Sequence, residues 1–393
     1  MRIFEVVWII IQVLVGYNLV LPILVYTIIY LLRSRRQHSE NTDKAEADYA
    51  IIVTAYMQTD LLPAVVNSIL SVNYSNYMVY IVADNCNISD LHFDNPKVVL
   101  LQPPVTLSSN TKSHFYAIKN FVRKHERLTI VDSDNLVHPQ YLREMNKYFD
   151  AGYNAVQGVR EAKNLDTTYA CLDAARDIYY HFYDGKILFG SGSSATLAGS
   201  GMAFTRDLYV ACLQDVVIDG AGFDKVLQNK IVQRGERIAF AESAIVYDEK
   251  TANTDQLVKQ RARWINTWFK YFGYGFSLII KGVKRLNWNQ FLFGFILLRP
   301  PLFIFIILSV IFMVINWWIA PLVSLVWLLA MLLFVAGFFI AMLQSYTDPK
   351  IYSSLVNIPR FMFYQVLSLL KIRKANKISV ATRHSYVTKS TDR

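Results

Sequence analysis

Three cysteines, Cys86, Cys171 and Cys212, are all that this chain of 393 residues carries. No two of them share CxxC spacing and no histidine cluster stands nearby, which leaves out a disulfide-framed secreted module and a thiolate zinc site. Reduced, mostly buried thiols are expected. Internal repeats and low-complexity tracts are missing as well, so repeat architectures fall away. Acidic charge is nearly absent from residues 3–32, where Glu5 is the only example. A bilayer core of roughly 30 Å needs about 20 helical residues at about 1.5 Å each, so this segment is long enough to span. It ends in Arg33, Arg35 and Arg36 rather than in the small residues of a cleaved signal, and reads as an uncleaved anchor.

What the chain does have is apolar surface, with 53% hydrophobic and 14% aromatic residues. That exceeds the usual share of a soluble domain, so part of it belongs in lipid. Residues 300–319 and 322–344 form a second apolar block, interrupted at Asn316, Trp317, Trp318 and Pro321, where a turn at a headgroup interface is expected. The formal charge is +10, and residues 345–393 supply +7 of it, from nine Lys or Arg against two Asp. The basic surplus therefore reads as membrane topology, and nucleic acid is not expected as a partner. Positive residues favour the cytosolic side, which places the central segment and the C-terminus in the cytosol, with the N-terminus outside, in a multi-pass protein of the inner (plasma) membrane. Residues 264–298, rich in Trp, Phe and Tyr, are expected as interfacial helices. Residues 351–372 are long enough to span but carry Pro359, Arg360 and Gln365, and are expected as an interfacial or re-entrant helix.

Between the apolar blocks, short apolar runs at 49–54, 78–83, 98–101, 128–131 and 155–158 alternate with helical patterns such as 60–70. This alternation predicts an α/β fold with a mostly parallel, helix-covered sheet. Ligands in such sheets lie outside the carboxyl ends of the strands. Asp84 and Asp132 each follow directly on an apolar run and belong at that edge.

Asp132, Ser133 and Asp134 put two carboxylates at a strand end. Transfer of a sugar from a nucleotide diphosphate needs a hard cation on the pyrophosphate, and carboxylates bind Mg²⁺ or Mn²⁺, although a lone DxD is also common in solvated loops. Asp84 is placed to meet a base or ribose, or to serve as a turn or N-cap residue. Asp224, opening a helical pattern after Gly220, Ala221 and Gly222, fits a general base for an acceptor hydroxyl and equally a dipole-stabilising residue of a first turn. Gln260, Arg263 and Trp264 share one helix face, offering an amide, a planar cation for phosphate and a flat ring for a sugar. A basic, aromatic membrane-surface helix explains the Arg and Trp but not the Gln.

Taken together and in this order, these residues resemble glycosyltransferase family 2, in the membrane-integrated branch of cellulose, chitin-oligosaccharide and hyaluronan synthases and ceramide glucosyltransferases. The pattern there is an Asp after the second strand, a DxD, a second-domain Asp usually written ED, and QxxRW, over residues 50 to 270. The resemblance implies a GT-A type nucleotide-sugar-binding domain. It also implies a nucleobase pocket at Thr54, Tyr56 and Asp60, with Asp84 on the uridine. Lys112 resembles the basic residue of a GK-type loop preceding a helix at 117–121. Gly199, Ser200 and Gly201 resemble a glycine loop near the acceptor. Two departures are visible: Phe223 replaces the Glu of ED, and no proline follows Thr54.

The expected activity is metal-dependent, inverting transfer of a sugar from a UDP-sugar to a saccharide or lipid-linked acceptor. Asp132 and Asp134 would hold Mg²⁺ or Mn²⁺, and Asp224 would take the acceptor proton. Thr54, Tyr56, Asp60, Asp84, Lys112, Asp132, Gln260 and Arg263 would bind the donor, with Gly199, Ser200, Gly201 and Trp264 on the acceptor. Three spans make a thin channel, so single-sugar transfer to a ceramide-type lipid is the alternative, and a catalytically silent nucleotide-sugar-binding scaffold is a rival of another class. Expected partners are the bilayer and polysaccharide-assembly proteins. The expected organisation is an anchor (1–36), a linker (37–48), the catalytic domain (49–263), interfacial helices (264–298), a transmembrane hairpin (299–345), and a helix with a basic tail (346–393).

Overall fold

Side chains along Tyr49–Tyr56 (β1) alternate between two cores, with Tyr49, Ile51, Val53 and Ala55 in one and Ala50 and Ile52 in the other. A strand apolar on both faces must be covered on both faces, which requires the interior of a helix-flanked sheet. Tyr77–Asp84 (β2) follows the same rule and is buried throughout. The computed structural model describes residues 3–32, 45–218 and 220–371. The arginines at 33–36, most of the linker and the basic tail beyond residue 371 lie outside the described residues.

The remaining strands are Val98–Leu101 (β3), Arg127–Asp132 (β4), Leu136–Val137 (β5), Ala155–Ala162 (β6), Met202–Thr205 (β7) and Ile238–Asp248 (β8). They form one sheet in the order β3-β2-β1-β4-β7-β6-β8-β5. The block β3-β2-β1-β4 is parallel; β7 then runs antiparallel to both β4 and β6, β8 is parallel to β6, and β5 is antiparallel to β8. All five expected strands form, and the helix expected at 60–70 forms as Leu62–Leu70. The helix expected at 117–121 begins earlier, as Asn110–Lys119, because the Ser109 side chain caps it by accepting from the Lys112 N–H. Lys112 is thus within the first turn rather than ahead of the helix.

Three helices, Ile3–Leu32, Leu302–Ile319 and Pro321–Gln344, are long and apolar enough to cross a membrane. The last two are separated only by Ala320, so the turn expected from Asn316 to Pro321 narrows to one residue, with Asn316, Trp317 and Trp318 still in the helix. Gln12 specifies how the bundle assembles: its Oε1 accepts from Asn316 Nδ2 and, at 2.8 Å, from Trp327 Nε1, joining all three helices. Such bonds add modestly to stability in lipid but leave a buried amide unsatisfied in any other register. The helix Ile358–Leu369 has 12 residues, giving about 18 Å, too short to cross a core of roughly 30 Å. It packs instead on two helices, through Phe361 against Leu257 of Thr254–Tyr271 and Leu172 of Thr168–Tyr180. Cys86, Cys171 and Cys212 are buried and free, as expected.

Candidate active site

The register of the parallel block fixes the first wall of the site. Thr54 pairs with Asp132 and Tyr56 with Asp84, so four expected residues emerge at one sheet edge. A cleft of about 750 Å³ opens there, lined by Thr54, Tyr56, Asp84, Asp132, Asp134, Gly199, Asp224, Gln260, Arg263 and Trp264. Asp60 and Lys112 are exposed and are not among its lining residues, nor are Ser200 and Gly201.

Asp84 is only 2% exposed, and its two carboxylate oxygens accept from the backbone N–H groups of Leu107 and Ser108, each at 2.8 Å. It therefore ties the loop before Ser109 to the end of β2, and this loop shapes the cleft rim. Asp132 donates its N–H to Ser200 Oγ at 3.1 Å, and Ser200 donates in turn to Asn135 Oδ1. The Ser200 hydroxyl is committed beneath the DxD turn. Gly201, at φ +64°, fits because a Cβ there would come within 2.8 Å of Val246. Gly199, at φ +89°, faces open space on the cleft. Asn135 Nδ2 also reaches Asp134 Oδ1 and Asp248 Oδ1, at 3.3 Å each, which fixes the orientation of Asp134. Lys163 Nζ donates to the Asp134 carbonyl at 2.8 Å; burial pushes this amine down, against the opposing pull of Asp134 and Glu249.

Asp224 enters from the opposite wall, in the first turn of the helix Phe223–Gln233. Gly222, at φ +103°, lets that turn abut the helix Thr254–Tyr271, since a Cβ would lie 2.6 Å from both Thr267 and Tyr271. This contact carries Asp224 toward the helix that presents Gln260, Arg263 and Trp264. Lys225 Nζ sits 3.2 Å from Asp224 and donates to the Leu197 carbonyl at 3.1 Å. Phe223, in the place of the expected Glu, is buried edge-to-face on His114, with centroids 5.2 Å apart. His114 bonds Tyr209 through Nδ1 at 2.7 Å, and burial pulls its pKa down to about 3, so the imidazole is neutral.

Thr251 donates to Gln260 Oε1 at 3.1 Å. Burial pushes Arg263 down, partly countered by the charge of Asp132. Arg263 and the DxD carboxylates line the same cleft. Trp264 does not offer an unoccupied platform: the guanidiniums of Arg176 and Arg261 lie 4.3 and 4.2 Å from its ring centroid. Asp173 pairs with both arginines. Sequence reasoning missed this cluster, together with Arg160, Asp177, Asp248, Lys250, Asp184 and Arg299 beside it. Lys250 Nζ reaches Asp177 at 2.7 Å and Asp248 at 3.0 Å. Burial alone would raise Asp177, but Arg176, Lys250 and Arg160 hold it well below the usual carboxylate range. The Asp248 and Glu249 pair closing the long run of β8 was the one local signal available; the helical partners carry none.

The donor set for a metal fits Mg²⁺ or Mn²⁺ only in part from protein. Among the described residues no three His, Cys, Asp or Glu side chains converge as a complete ligand group. Two strand-end carboxylates, one of them buried and oriented by Asn135, match a hard cation that takes its remaining oxygens from a diphosphate and water.

No curated protein matches the chain significantly. Among solved structures, a mannosyltransferase of Pyrobaculum calidifontis, in complex with GDP-Man and Mn²⁺, covers 93% of this chain and 97% of its own at 13% identity and a TM-score of 0.53. That likeness is one of fold, a mixed α/β GT-A-like architecture. S. aureus TarS, residues 1–349 in complex with UDP-GlcNAc, covers 52% of this chain and 59% of its own at 15% identity and a TM-score of 0.39. The sequence model described as glycosyltransferase like family 2 matches residues 47–267, over half of the chain and every strand of the sheet, and the chain belongs to that family.

Proposed function

We propose that the protein is a membrane-bound inverting transferase that moves a sugar from a UDP-sugar to a saccharide or lipid-linked acceptor in polysaccharide or glycolipid synthesis. One observation carries this: strand-end carboxylates Asp132 and Asp134, helix-start Asp224 and helix-face Gln260 and Arg263, from three distant parts of the chain, line a single cleft. Mg²⁺ or Mn²⁺ on Asp132 and Asp134 would neutralise charge on the departing diphosphate. Arg263 offsets the same charge from the cleft wall. Asp224 takes the acceptor proton as the acceptor oxygen attacks the anomeric carbon from the face opposite the diphosphate. Thr54 and Tyr56 bind the base end, and Asp84 holds the loop that closes over it.

The domain boundaries proposed are those of the sequence: anchor, linker, catalytic domain over 49–263, interfacial helices, hairpin and tail. Phe269, Phe276, Ile280, Val283 and Trp288 are exposed beside Lys270, Lys281, Lys284 and Arg285, which supports an interfacial placement of 264–298. The catalytic domain is proposed to face the cytosol. The apolar residues at the far end of the cleft favour a lipid-linked acceptor over a free saccharide. Single-sugar transfer to a ceramide-type lipid fits that end as well.

The test is release of nucleoside diphosphate by purified protein in nanodiscs, supplied in turn with UDP- and GDP-sugars. Turnover with a UDP-sugar and Mn²⁺ is expected. Tight nucleotide binding with no release, whatever lipid or saccharide is added, would point to the silent scaffold.

A further inference from the structure

We propose that Thr251 is a positioning residue for donor binding. Its hydroxyl holds the Gln260 amide by the oxygen, so that the Nε2 end is turned to the cleft as a hydrogen-bond donor to the diphosphate. This role rests on the transferase reading, and Thr251 acts through Gln260 because it is not itself among the residues lining the cleft.

Thr251 is 7% exposed and stands just ahead of the helix Thr254–Tyr271. A hydroxyl in that neighbourhood ordinarily caps the helix start, but Asn253 already does so by accepting from the Asp255 N–H at 2.8 Å. The Thr251 hydroxyl donates instead to Gln260 Oε1, in the second turn of the helix, at 3.1 Å. Its own place is fixed from behind. Asn164, 5% exposed, grips the backbone of Lys250 in both directions, accepting from its N–H at 2.7 Å and donating to its carbonyl at 3.1 Å. Lys250 Nζ is held by Asp177 and Asp248, and Asp248 accepts from Asn135 beneath the DxD turn. The turn from β8 into the helix is thereby a bracket that joins the DxD to the helix carrying Gln260.

A primary amide has two unlike ends, an oxygen that only accepts and a nitrogen that only donates. Turned one way, Gln260 adds N–H donors beside the diphosphate; turned the other, it sets a lone pair against a phosphate oxygen. An unrestrained glutamine also loses side-chain entropy each time it binds. A hydroxyl that donates to Oε1 selects the useful end and holds it before the nucleotide arrives. Arg263, further along the same helix face, lines the same cleft, so a cation and an amide donor serve one anion.

The experiment measures UDP affinity with Mn²⁺, and donor kinetics with the UDP-sugar that turns over, on the full-length protein in nanodiscs. Thr251→Val removes the hydroxyl and keeps the shape. It should raise the UDP Kd and the donor KM by roughly tenfold and leave kcat within about twofold of wild type, the pattern of lost uniform binding. Thr251→Ser should restore both constants. On a Gln260→Ala background, Thr251→Val should add nothing further. Gln260→Glu, which still accepts from Thr251 but has no N–H to offer, should bind UDP more weakly than Gln260→Ala. A Thr251→Val protein with a lowered kcat and an unchanged KM would reduce Thr251 to a support of the turn and overturn the proposal, as would full additivity with Gln260→Ala. If Thr251→Val does not fold, the two Gln260 variants decide, and Gln260→Glu binding UDP no worse than Gln260→Ala overturns it. Wild-type protein that binds UDP but transfers no sugar would remove the transferase reading and leave the effect of Thr251 on UDP affinity standing.

Discussion

Arg261 lies over the ring of Trp264, its guanidinium carbon 4.2 Å from the centroid, although Trp264 was expected to face a substrate. Arg176, from a second helix, comes within 4.3 Å of the same ring, and Asp173 holds both arginines. Trp264 therefore clamps the helix Thr254–Tyr271 to the helix Thr168–Tyr180.

A desolvated cation over an aromatic face contributes about 2 kcal/mol. Trp264→Leu should lower the stability of the purified protein by on the order of 2 kcal/mol, read by thermal unfolding in nanodiscs, while Trp264→Phe should keep most of it. A leucine variant that melts like wild type but has a raised acceptor KM would return the ring to acceptor binding.

The metal prediction follows from Asn135, which orients the Asp134 carboxylate through Nδ2 at 3.3 Å. Asp134→Asn should abolish divalent-dependent UDP release and leave the amount of protein in the membrane near wild type, because one ligand is lost but no core contact. Asn135→Leu should lower the affinity for Mn²⁺ in turnover rather than the maximal rate. Wild-type release in EDTA would sink the metal site.

Much of this was legible in sequence because it is local. The runs in β1 and β2 are apolar on both faces, so burial and strand could be read from periodicity, and the carboxylates after them inherited the sheet edge. β7 and β8 were not legible. Met202–Thr205 is four residues after a glycine loop, and β8 is interrupted by the exposed Glu242 and Ser243. Partners remote in sequence were equally hidden. Leu107 and Ser108 satisfy Asp84, Asp173 meets Arg261, and Arg299 meets Asp184 across 88 and 115 residues for the last two pairs. No spacing rule encodes those pairings, since topology alone brings them together.

His114 gives the fold an acid limit. Its pKa falls from 6.5 toward about 3 on folding because it is fully buried against Phe223 and Tyr209. A folded value below the unfolded one means the unfolded chain binds more protons between the two, so stability is full above about 6.5 and declines as pH drops toward 3. The decline attributable to this side chain is on the order of 4 kcal/mol. His114→Gln should be less stable at pH 7 yet show a flatter loss between pH 6.5 and 4, measured by denaturant midpoints. A loss as steep as that of wild type would assign the acid limit to other groups, His181 among them, whose pKa burial also lowers to about 3.

Asp224 is the most exposed assignment, because its helix turn carries Phe223 in place of an acidic neighbour and Lys225 stands 3.2 Å away. The geometry separates two roles. A carboxylate that only neutralises Lys225 would be replaceable by any arrangement that keeps the first turn capped, since Gly222 and the Thr267 contact fix the helix start without it. A carboxylate that accepts the acceptor proton is not replaceable, and its loss should slow transfer by roughly 10² to 10⁴ while the donor end of the cleft is untouched. Asp224→Asn is therefore expected to bind UDP with Mn²⁺ about as tightly as wild type and to transfer little sugar. Wild-type transfer would remove Asp224 from the chemistry, and lost UDP affinity would make it a binding residue. Both quantities are to be measured on one preparation, because only their ratio distinguishes a missing base from a damaged cleft.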